Sequence, residues 1–387
     1  MMNCPHIVVC AGEPSGDNLA AGMMRAASTS RADLRFTGMG GEQMRAAGAE
    51  TLIDVSELAV MGLWEVITQY SRLKRLLHRM QQHLEQTRPN LLVLVDYVEF
   101  NLRLGAYARG LGIPVLFYVS PQIWAWRQKR IHRIKRSVDA MAVLFPFERA
   151  IYEEHGIPVR YVGNPLVDQV VPPDHDLREE LGIDQQQRLI GLLPGSRSGE
   201  IKRHWPLLLA TARCLGKHRT DLHFVVPMAS GITESTLDSL GSRADLPITL
   251  LSGRSRSHQV MASSDLLLIS SGTATLEAGL LQTPMIVFYR MSPLSHALFS
   301  RLVRVPYIAL VNIVAGKPLV PERIQRAASP EALCDEALGW LNDPSRLAKI
   351  RESLDQVRER LGPGGADERV AEMVLQMVEF GHLTDTG

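Results

Sequence analysis

Short, wholly apolar runs recur along the chain, separated by longer segments of mixed polarity. Such runs, without polar alternation, are typical of strands buried on both faces of a parallel sheet. The segments between them carry the spacing of amphipathic helices, so the pattern predicts an α/β fold. The predicted strands are residues 7–10, 91–95, 115–119 and 140–144, followed by 189–193, 224–226, 266–269 and 285–289.

The strand pattern breaks near Gly163-Asn164-Pro165, and Pro172-Pro173 lie just beyond. Glycine and proline at this density end regular elements, so we place the domain boundary here. The prediction is two Rossmann-like, doubly wound domains, residues 1–165 and 166–361, which face a cleft. Ligands of such sheets bind beyond the carboxyl ends of the strands, and therefore in that cleft.

The composition narrows the classes of function. There are 42 basic and 41 acidic residues, and a net charge of +1 gives no general attraction for nucleic acid. Cys4, Cys10, Cys214 and Cys334 are scattered without a Cys-x-x-Cys pair. This spacing argues against a disulfide framework or a zinc site and fits a reducing cytoplasm. We expect no signal peptide and no bilayer-spanning segment.

One of the predicted strands, 266–269, runs into a turn of small residues and then a helix that carries Glu277. A helix N-terminus offers free N–H groups and partial positive charge, which suit a phosphate. Ala274, three residues before Glu277, has no hydroxyl, so the pair is not a capping box. The carboxylate could instead accept from sugar hydroxyls, as in a nucleotide-sugar pocket. An ordinary helix that begins on serine and carries a glutamate fits this stretch equally well.

A second loop, 194–200, also follows a predicted strand. Gly195 allows close backbone approach, Ser196 offers a hydroxyl, and the Arg197 guanidinium suits a diphosphate. No Asp-x-Asp metal signature lies nearby, and Arg197 with helix dipoles could stabilise a nucleotide leaving group without a metal ion. The alternative is an exposed turn with a solvated arginine. The loop 12–17 lacks the spacing of a dinucleotide-binding or P-loop motif, and a plain strand-to-helix turn is favoured there.

Asp96 lies where the apolar strand 91–95 ends, which is the edge where ligands of such a sheet bind. A partly desolvated aspartate there could act as a general base, and Glu99 is the second candidate. On local grounds, Asp96 could equally cap the segment that follows.

Three stretches combine charge with apolar or aromatic residues. The stretch 127–136 is densely basic and follows two tryptophans; it could bind nucleic acid, an anionic lipid or a phosphate-bearing substrate, or be a solvated helix face. The stretches 58–84 and 291–305 carry apolar stripes with basic residues. A helix packed on its own sheet is the simpler interpretation, and docking to a membrane surface is the alternative.

Taken together, these motifs resemble the lipid A disaccharide synthase family over almost the whole chain. The tryptophan segment is the most specific of them, because related GT-B glycosyltransferases have loops comparable to Pro-Gly-Ser-Arg and Ser-Gly-Thr. The matching segments are Ala11-Gly12-Glu13-x-Ser15-Gly16-Asp17, Gly38-Met39-Gly40-Gly41, Val60-Met61-Gly62, Asp96-x-x-x-Phe100-Asn101, Tyr118-Val119-Ser120-Pro121-Gln122-Ile123-Trp124-Ala125-Trp126-Arg127, Phe145-Pro146-Phe147-Glu148, Leu193-Pro194-Gly195-Ser196-Arg197, Ser271-Gly272-Thr273-Ala274-Thr275-Leu276-Glu277 and Val311-Asn312.

The resemblance implies a GT-B fold in which a helix in 362–387 crosses back to the first domain. It implies inverting transfer of 2,3-diacylglucosamine from its UDP derivative (acylated UDP-glucosamine) to the 6-hydroxyl of 2,3-diacylglucosamine 1-phosphate (acylated glucosamine 1-phosphate), with release of UDP. The enzyme would act at the inner face of the cytoplasmic membrane, with no metal, no separate cofactor and no nucleic acid, and a homodimer is left open.

The same resemblance assigns roles to residues. Asp96 would be the base on the acceptor side, and Arg197 would serve the diphosphate on the donor side. The remaining binding residues would be Ser15, Gly16, Gln122, Gly195, Ser196, Gly272, Thr273, Glu277 and Asn312.

One departure concerns the segment after Asp96. Where the family often has proline and a second aspartate, this chain has Val98 and Glu99. The departure affects the expected orientation of the Glu99 side chain more than the expected role of Asp96. The rival functions are another GT-B UDP-sugar enzyme, such as a peptidoglycan glucosaminyltransferase or a UDP-sugar epimerase, and a nucleic-acid-binding protein that uses the basic stretch.

Overall fold

A computed structural model describes residues 4–55, 66–125, 128–229, 231–253, 256–292 and 305–384. The chain divides into two compact units, residues 1–165 with 364–387, and residues 166–363. Each unit is built on one parallel sheet, which confirms the predicted α/β class with two doubly wound sheets. The apolar stretch 56–65, most of 291–305, and Trp126 with Arg127 lie outside the described residues.

The first unit contains a seven-stranded sheet in the order β3-β2-β1-β4-β5-β6-β7. All of its strand pairs are parallel. The direction of winding reverses between β1 and β4, and ligands of doubly wound sheets bind at this switch point. The strands are β1 His6–Ala11, β2 Arg35–Gly40, β3 Glu50–Asp54, β4 Leu91–Val95, β5 Val115–Tyr118, β6 Ala140–Val143 and β7 Val159–Tyr161.

Helices cover both faces of this sheet and so bury its central strands on both sides. On one face, Leu76, Met80 and Leu84 of α3 are fully packed in the core. The described part of the stretch 58–84 therefore contributes to the core, as the simpler interpretation predicted. The helices before the boundary are α1 Pro14–Ser30, α2 Glu42–Ala46, α3 Val66–Thr87, α4 Val98–Gly110, α5 Ile131–Ser137 and α6 Glu148–Glu153.

The second unit contains a six-stranded sheet in the order β10-β9-β8-β11-β12-β13, again all parallel. Its winding reverses between β8 and β11, the counterparts of β1 and β4 in the first unit. The strands are β8 Arg188–Leu193, β9 Leu222–Pro227, β10 Ile248–Leu251, β11 Leu266–Ser270, β12 Met285–Tyr289 and β13 Glu322–Ile324.

The helices of the second unit pack on its sheet through a core that includes Trp205, Phe224, Phe288 and Trp340. They are α7 Leu166–Gln169, α8 Leu177–Leu181, α9 Ser198–His218, α10 Glu234–Leu240, α11 Arg256–Ser263, α12 Thr273–Leu280, α13 Leu310–Ala315, α14 Pro330–Leu341 and α15 Pro344–Leu361.

The last helix, α16 Ala366–Phe380, belongs to the first unit although it follows the whole second unit in sequence. It packs against α1 and the central strands β4 and β5. Val370, Met373, Val374 and Met377 are fully buried there, so this helix completes one face of the first sheet.

The structure corrects the expectation that the cysteines stay apart. Cys214 on α9 and Cys334 on α14 form a disulfide across a sequence separation of 120 residues. The Sγ atoms and a ring nitrogen of His218 all lie within 4.8 Å of one another, so the reduced pair has a third ligand atom nearby. Sequence spacing could not reveal this pair, because the packing of the two helices creates it.

Among the helices described, none combines the length and hydropathy needed to cross a bilayer.

Candidate functional site

A cavity lies at the switch point of each sheet, where the two central strands of opposite winding end. In the first unit the cavity has a volume of about 560 Å³ and is lined by Glu13 after β1 and by Asp96 and Tyr97 after β4. In the second unit the cavity has a volume of about 350 Å³ and is lined by residues 193–197 at the end of β8 and 270–274 at the end of β11. The sequence-predicted loops thus meet in pairs, one pair in each unit.

The backbone at Asp96 is strained. Asp96 and Tyr97 have φ values of +50° and +41°, in the left-handed region that side chains other than glycine seldom adopt. The buried Asn101 amide donates to the Asp96 carbonyl at 2.8 Å and lies 3.2 Å from the Val95 carbonyl. Asn101 was matched only as part of a motif; the structure shows that its side chain holds the strained turn and so positions Asp96.

Gly12 makes room for this turn. A Cβ atom at Gly12 would lie 2.3 Å from Cδ1 of Tyr97, far closer than van der Waals contact. Any side chain at Gly12 would therefore displace Tyr97 and, with it, the neighbouring Asp96.

The environment of Asp96 favours its protonated form more than water does. Burial raises the pKa of the Asp96 carboxyl, the nearby Glu13 charge raises it further, and a hydrogen bond from the Tyr97 backbone partly offsets both. A carboxylate with a raised pKa is a better proton acceptor near neutral pH. Asp96 therefore has the position and the electrostatics of a general base.

Glu99, the second candidate base, is paired with two arginines. Its carboxylate accepts hydrogen bonds from Arg133 at 2.7 Å and from Arg130. Two guanidinium groups thus engage this carboxylate in an ion-pair network. Arg130 and Arg133 belong to the basic stretch 127–136, so part of this stretch makes contacts within the protein. Lys135 of the same stretch donates to the His155 carbonyl at 2.7 Å.

In the second unit, Glu200 already occupies the loop predicted to hold phosphate. Its Oε2 atom accepts from the backbone N–H groups of Ser196 and Arg197, both at 3.3 Å. Gly195 has φ +106°, and a Cβ atom there would lie 2.6 Å from the same oxygen. The buried His204 ring contacts the Pro194 carbonyl at 2.7 Å from behind. The loop is thus fixed in shape, and its amides are engaged by the protein's own carboxylate.

The N-terminus of α12 is different, because no side chain caps it through a hydrogen bond. Its first residues, Thr273 and Ala274, line the cavity beside Arg197, whose side chain is 77% exposed. The uncapped helix end and the guanidinium together supply the positive potential that an anionic ligand needs. Of the two helix starts in this cavity, the one at Gly272–Thr273 is the better phosphate site.

Glu277 also lines this cavity, and its carboxylate lies 3.4 Å from Nε2 of His258. Asn312, which is predicted to hold the nucleotide, is not among the described residues that line this cavity. Its fully buried amide donates to the Val320 carbonyl at 2.9 Å and to Glu322 at 2.8 Å, and its oxygen accepts from the Val320 N–H. The side chain therefore ties α13 to the segment around residues 320–322, and its role in nucleotide binding stays a prediction.

The hydrogen bonds of Asn312 belong to a network that extends to the cavity. The Glu322 carboxylate accepts from the N–H groups of Ile308 and Ala309, and the Ile308 carbonyl accepts from the Ser271 hydroxyl at 2.9 Å. Because Ser271 lies in the turn before α12, this network fixes the turn from the outside.

The remaining predicted residues belong to the first unit. Ser15 is exposed in the first turn of α1, and Gly16 is buried against Val95. Gln122 is exposed in the segment after β5. None of the three is among the described residues that line the Asp96 cavity.

The tryptophan segment and the Phe-Pro-Phe-Glu segment are joined by a buried carboxylate. Glu148 accepts a hydrogen bond from the Trp124 indole at 3.1 Å and from the Phe145 N–H at 3.1 Å. Burial raises the pKa of Glu148 to about 7, although these hydrogen bonds act in the opposite direction. The two sequence motifs therefore form one packed element.

Glu148 makes stability depend on pH. The pKa of the carboxyl is about 7 in the folded state and near its ordinary value of 4.5 in the unfolded state, so between these values the folded state retains a proton that the unfolded state has lost. Unfolding free energy should therefore fall by about 3 kcal/mol as pH rises from 4.5 to 7. Urea unfolding at pH 5 and pH 8 should show this decrease, and Glu148→Gln should reduce it.

The matched control for this measurement is Glu153→Gln, on the same helix but exposed and paired with Arg149. It should keep the wild-type difference between the two pH values. An equal pH dependence in the wild type and Glu148→Gln would contradict the assignment.

A similar fold occurs in a solved epimerase and in a solved glycosyltransferase. The structure resembles a UDP-GlcNAc 2-epimerase from Neisseria meningitidis bound to UDP-GlcNAc, at 13% identity and a TM-score of 0.60 over 96% of this chain and 100% of that chain. It resembles the glycosyltransferase of kitacinnamycin at 15% identity and a TM-score of 0.61, over 97% and 99% of the two chains. At these identities the similarity establishes the fold, which is that of the GT-B class.

Sequence comparison narrows the class to a family. The family described as Lipid-A-disaccharide synthetase matches residues 7–376. Lipid-A-disaccharide synthase of Trichlorobacter lovleyi is 44% identical over 97% of this chain and 98% of its own length, and that of Geobacter sulfurreducens is 42% identical over the same shares. The chain belongs to the lipid-A-disaccharide synthase family and is a glycosyltransferase.

Proposed function

We propose that the protein transfers 2,3-diacylglucosamine from its UDP derivative to the 6-hydroxyl of 2,3-diacylglucosamine 1-phosphate, with inversion at the anomeric carbon. The first unit would bind the acceptor and the second unit the donor. The observation that carries this division is the contrast between the two switch-point cavities. One contains a desolvated aspartate, and the other contains an uncapped helix N-terminus beside Arg197.

The acceptor step rests on Asp96. Its carboxylate takes the proton of the acceptor hydroxyl while that oxygen forms a bond to the anomeric carbon of the donor sugar. The bond between the anomeric carbon and the UDP phosphate oxygen breaks in the same displacement, so that UDP leaves with its electron pair. One attack from the face opposite UDP inverts the anomeric configuration and gives a β-1,6 disaccharide.

The leaving group is stabilised in the second unit. Negative charge accumulates on the departing diphosphate, which would lie beside Arg197 and the first N–H groups of α12. Glu277 would accept hydrogen bonds from the ribose hydroxyls. Because these groups supply the positive charge, we propose that transfer needs no metal, and the rate should be the same with and without EDTA.

We also place the protein at the inner face of the cytoplasmic membrane, because both proposed substrates carry acyl chains that reside in a bilayer. Sedimentation with anionic phospholipid vesicles tests this placement; protein that stays in the supernatant at low salt would contradict it.

The decisive experiment is release of UDP from the acylated UDP-glucosamine in the presence of the acylated glucosamine 1-phosphate. Release should require both compounds and should be accompanied by equimolar disaccharide. Unacylated UDP-N-acetylglucosamine is the control donor, and it should give little release with the same acceptor. No release with both acylated compounds, or equal release with the unacylated donor, would refute the proposal.

A further inference from the structure

The Asp96 cavity has a second chemical feature that the reaction step does not use. Lys74 on α3 and Arg103 on α4 line the same cavity as Asp96, and both side chains are exposed. In the part of the chain that the structure describes, neither cation has a hydrogen-bond or ion-pair partner. Arg130, the third cation of the lining, is in contrast engaged by Glu99.

The charges of the lining show what these two cations can do. Glu99 is balanced by Arg130 and Arg133, so it does not compensate Lys74 or Arg103. Lys74 and Arg103 offset the charges of Asp96 and Glu13 in the same lining, so that an anion can be bound beside the two cations. Lysine and arginine are also the usual partners of phosphate, lysine as a point charge and arginine through its planar fork.

The rest of the lining is largely apolar. Leu73, Leu77, Val98 and Phe100 contribute to it, and they lie on the same two helices as the cations. A ligand that suits this lining combines an anionic group with hydrocarbon, because the anionic group then contacts the cations and the hydrocarbon contacts the apolar side chains. An acylated sugar phosphate has this combination.

We propose that Lys74 and Arg103 form the subsite for the phosphate monoester of the acceptor. The inference rests on the proposed function and deepens it, since it names the groups that select a phosphorylated acceptor. A phosphate close to Asp96 and Glu13 would otherwise be repelled by two carboxylates. The two cations offset that repulsion and orient the acceptor so that its hydroxyl, at the other end of the sugar, reaches the base.

The test compares two acceptors that differ only in the 1-phosphate. The variants are Lys74→Gln, Arg103→Gln and the double variant, and Arg75→Gln is the matched control. Arg75 is exposed on the same helix as Lys74 but is not among the residues that line the cavity. Steady-state kinetics give kcat and KM for each acceptor, and the melting temperature checks that every variant is folded.

Each single variant should raise KM for the phosphorylated acceptor about ten-fold, because a hydrogen bond to a charged group is lost. In the double variant this KM should approach the wild-type KM for the acceptor without phosphate. KM for the donor should stay at the wild-type value, which a general loss of structure would not allow. Arg75→Gln should keep the wild-type preference between the two acceptors.

A binding measurement separates this inference from the proposed function. Calorimetry with the acylated glucosamine 1-phosphate, in the absence of donor, should show weaker binding to the double variant. That result supports the subsite even if the wild type releases no UDP, an outcome that would count against the proposed transfer alone. If the folded double variant binds the phosphorylated acceptor as tightly as the wild type and keeps its preference, the subsite is refuted. Equal competition by phosphatidic acid would also refute it, because a lipid headgroup would then be the ligand.

Discussion

Replacement of Asp96 by asparagine should lower kcat by about 10²- to 10⁴-fold, the usual contribution of a general base. Asparagine has nearly the same shape and can keep the strained turn that Asn101 holds, but it cannot accept the proton of the acceptor hydroxyl. KM for both substrates should change little, because the lost interaction belongs to the transition state. UDP release under saturating substrates measures the effect, with the melting temperature as a check on folding.

The pH profile gives the companion measurement. The neighbouring Glu13 charge raises the pKa of Asp96, so Glu13→Gln should lower that pKa. The acidic limb of kcat/KM should therefore move to lower pH in Glu13→Gln, since the base stays ionised further into the acid range. Near-normal turnover of a folded Asp96→Asn variant would remove Asp96 as the base.

Replacement of Arg197 by glutamine should lower kcat/KM for the donor by about 10²- to 10³-fold, as loss of one group that stabilises developing charge does in other enzymes. Arg197 lines the cavity at the uncapped start of α12, and the nearby Glu200 carboxylate would remain without its 3.5 Å contact to the guanidinium. The variant should thus repel the diphosphate as well as fail to bind it. Steady-state kinetics with varied donor measure the loss.

Two further variants test the interpretation. Arg197→Lys keeps the charge without the planar fork, so its activity should lie between those of the wild type and Arg197→Gln. Arg213→Gln is the control, because Arg213 lies on α9, the helix that Arg197 precedes, but pairs with Asp245 and is not among the residues that line the cavity. Equal losses in Arg197→Gln and Arg213→Gln would indicate a structural effect on the helix rather than contact with the leaving group.

The sequence predicts the central strands well and the edge strands poorly. The predicted strands 91–95 and 285–289 coincide with β4 and β12, because a strand buried on both faces must be a continuous apolar run. The edge strands β3, β7, β10 and β13 were not predicted, and neither was β2, an interior strand whose sequence Arg-Phe-Thr-Gly-Met-Gly is not an apolar run. β13, for example, is Glu-Arg-Ile and only half-buried, so neither a run nor an alternation marks it.

For the site, sequence reasoning finds residues that follow central strands and misses those that meet them from elsewhere. The loops after β1, β4, β8 and β11 were identified, since strand ends are visible in the pattern. The contact of Glu200 with its own loop was not predicted, although an acidic residue in the first turn of a helix is a usual signal of capping. The buried amide of Asn312 and the pair Cys214–Cys334 depend on contacts between distant segments, which spacing alone cannot reveal.

The position of α16 has a consequence for the order in which the protein forms during synthesis. The chain emerges from the ribosome from its N-terminus, and domains generally fold as units in that order. The first unit cannot follow this order, because Val370, Met373 and Met377 cover its sheet only after the second unit has been made. The second unit, contiguous from 166 to 363, can fold as it emerges. The half of the protein that is translated first is therefore completed last, and until then it exposes an apolar face that a chaperone could bind.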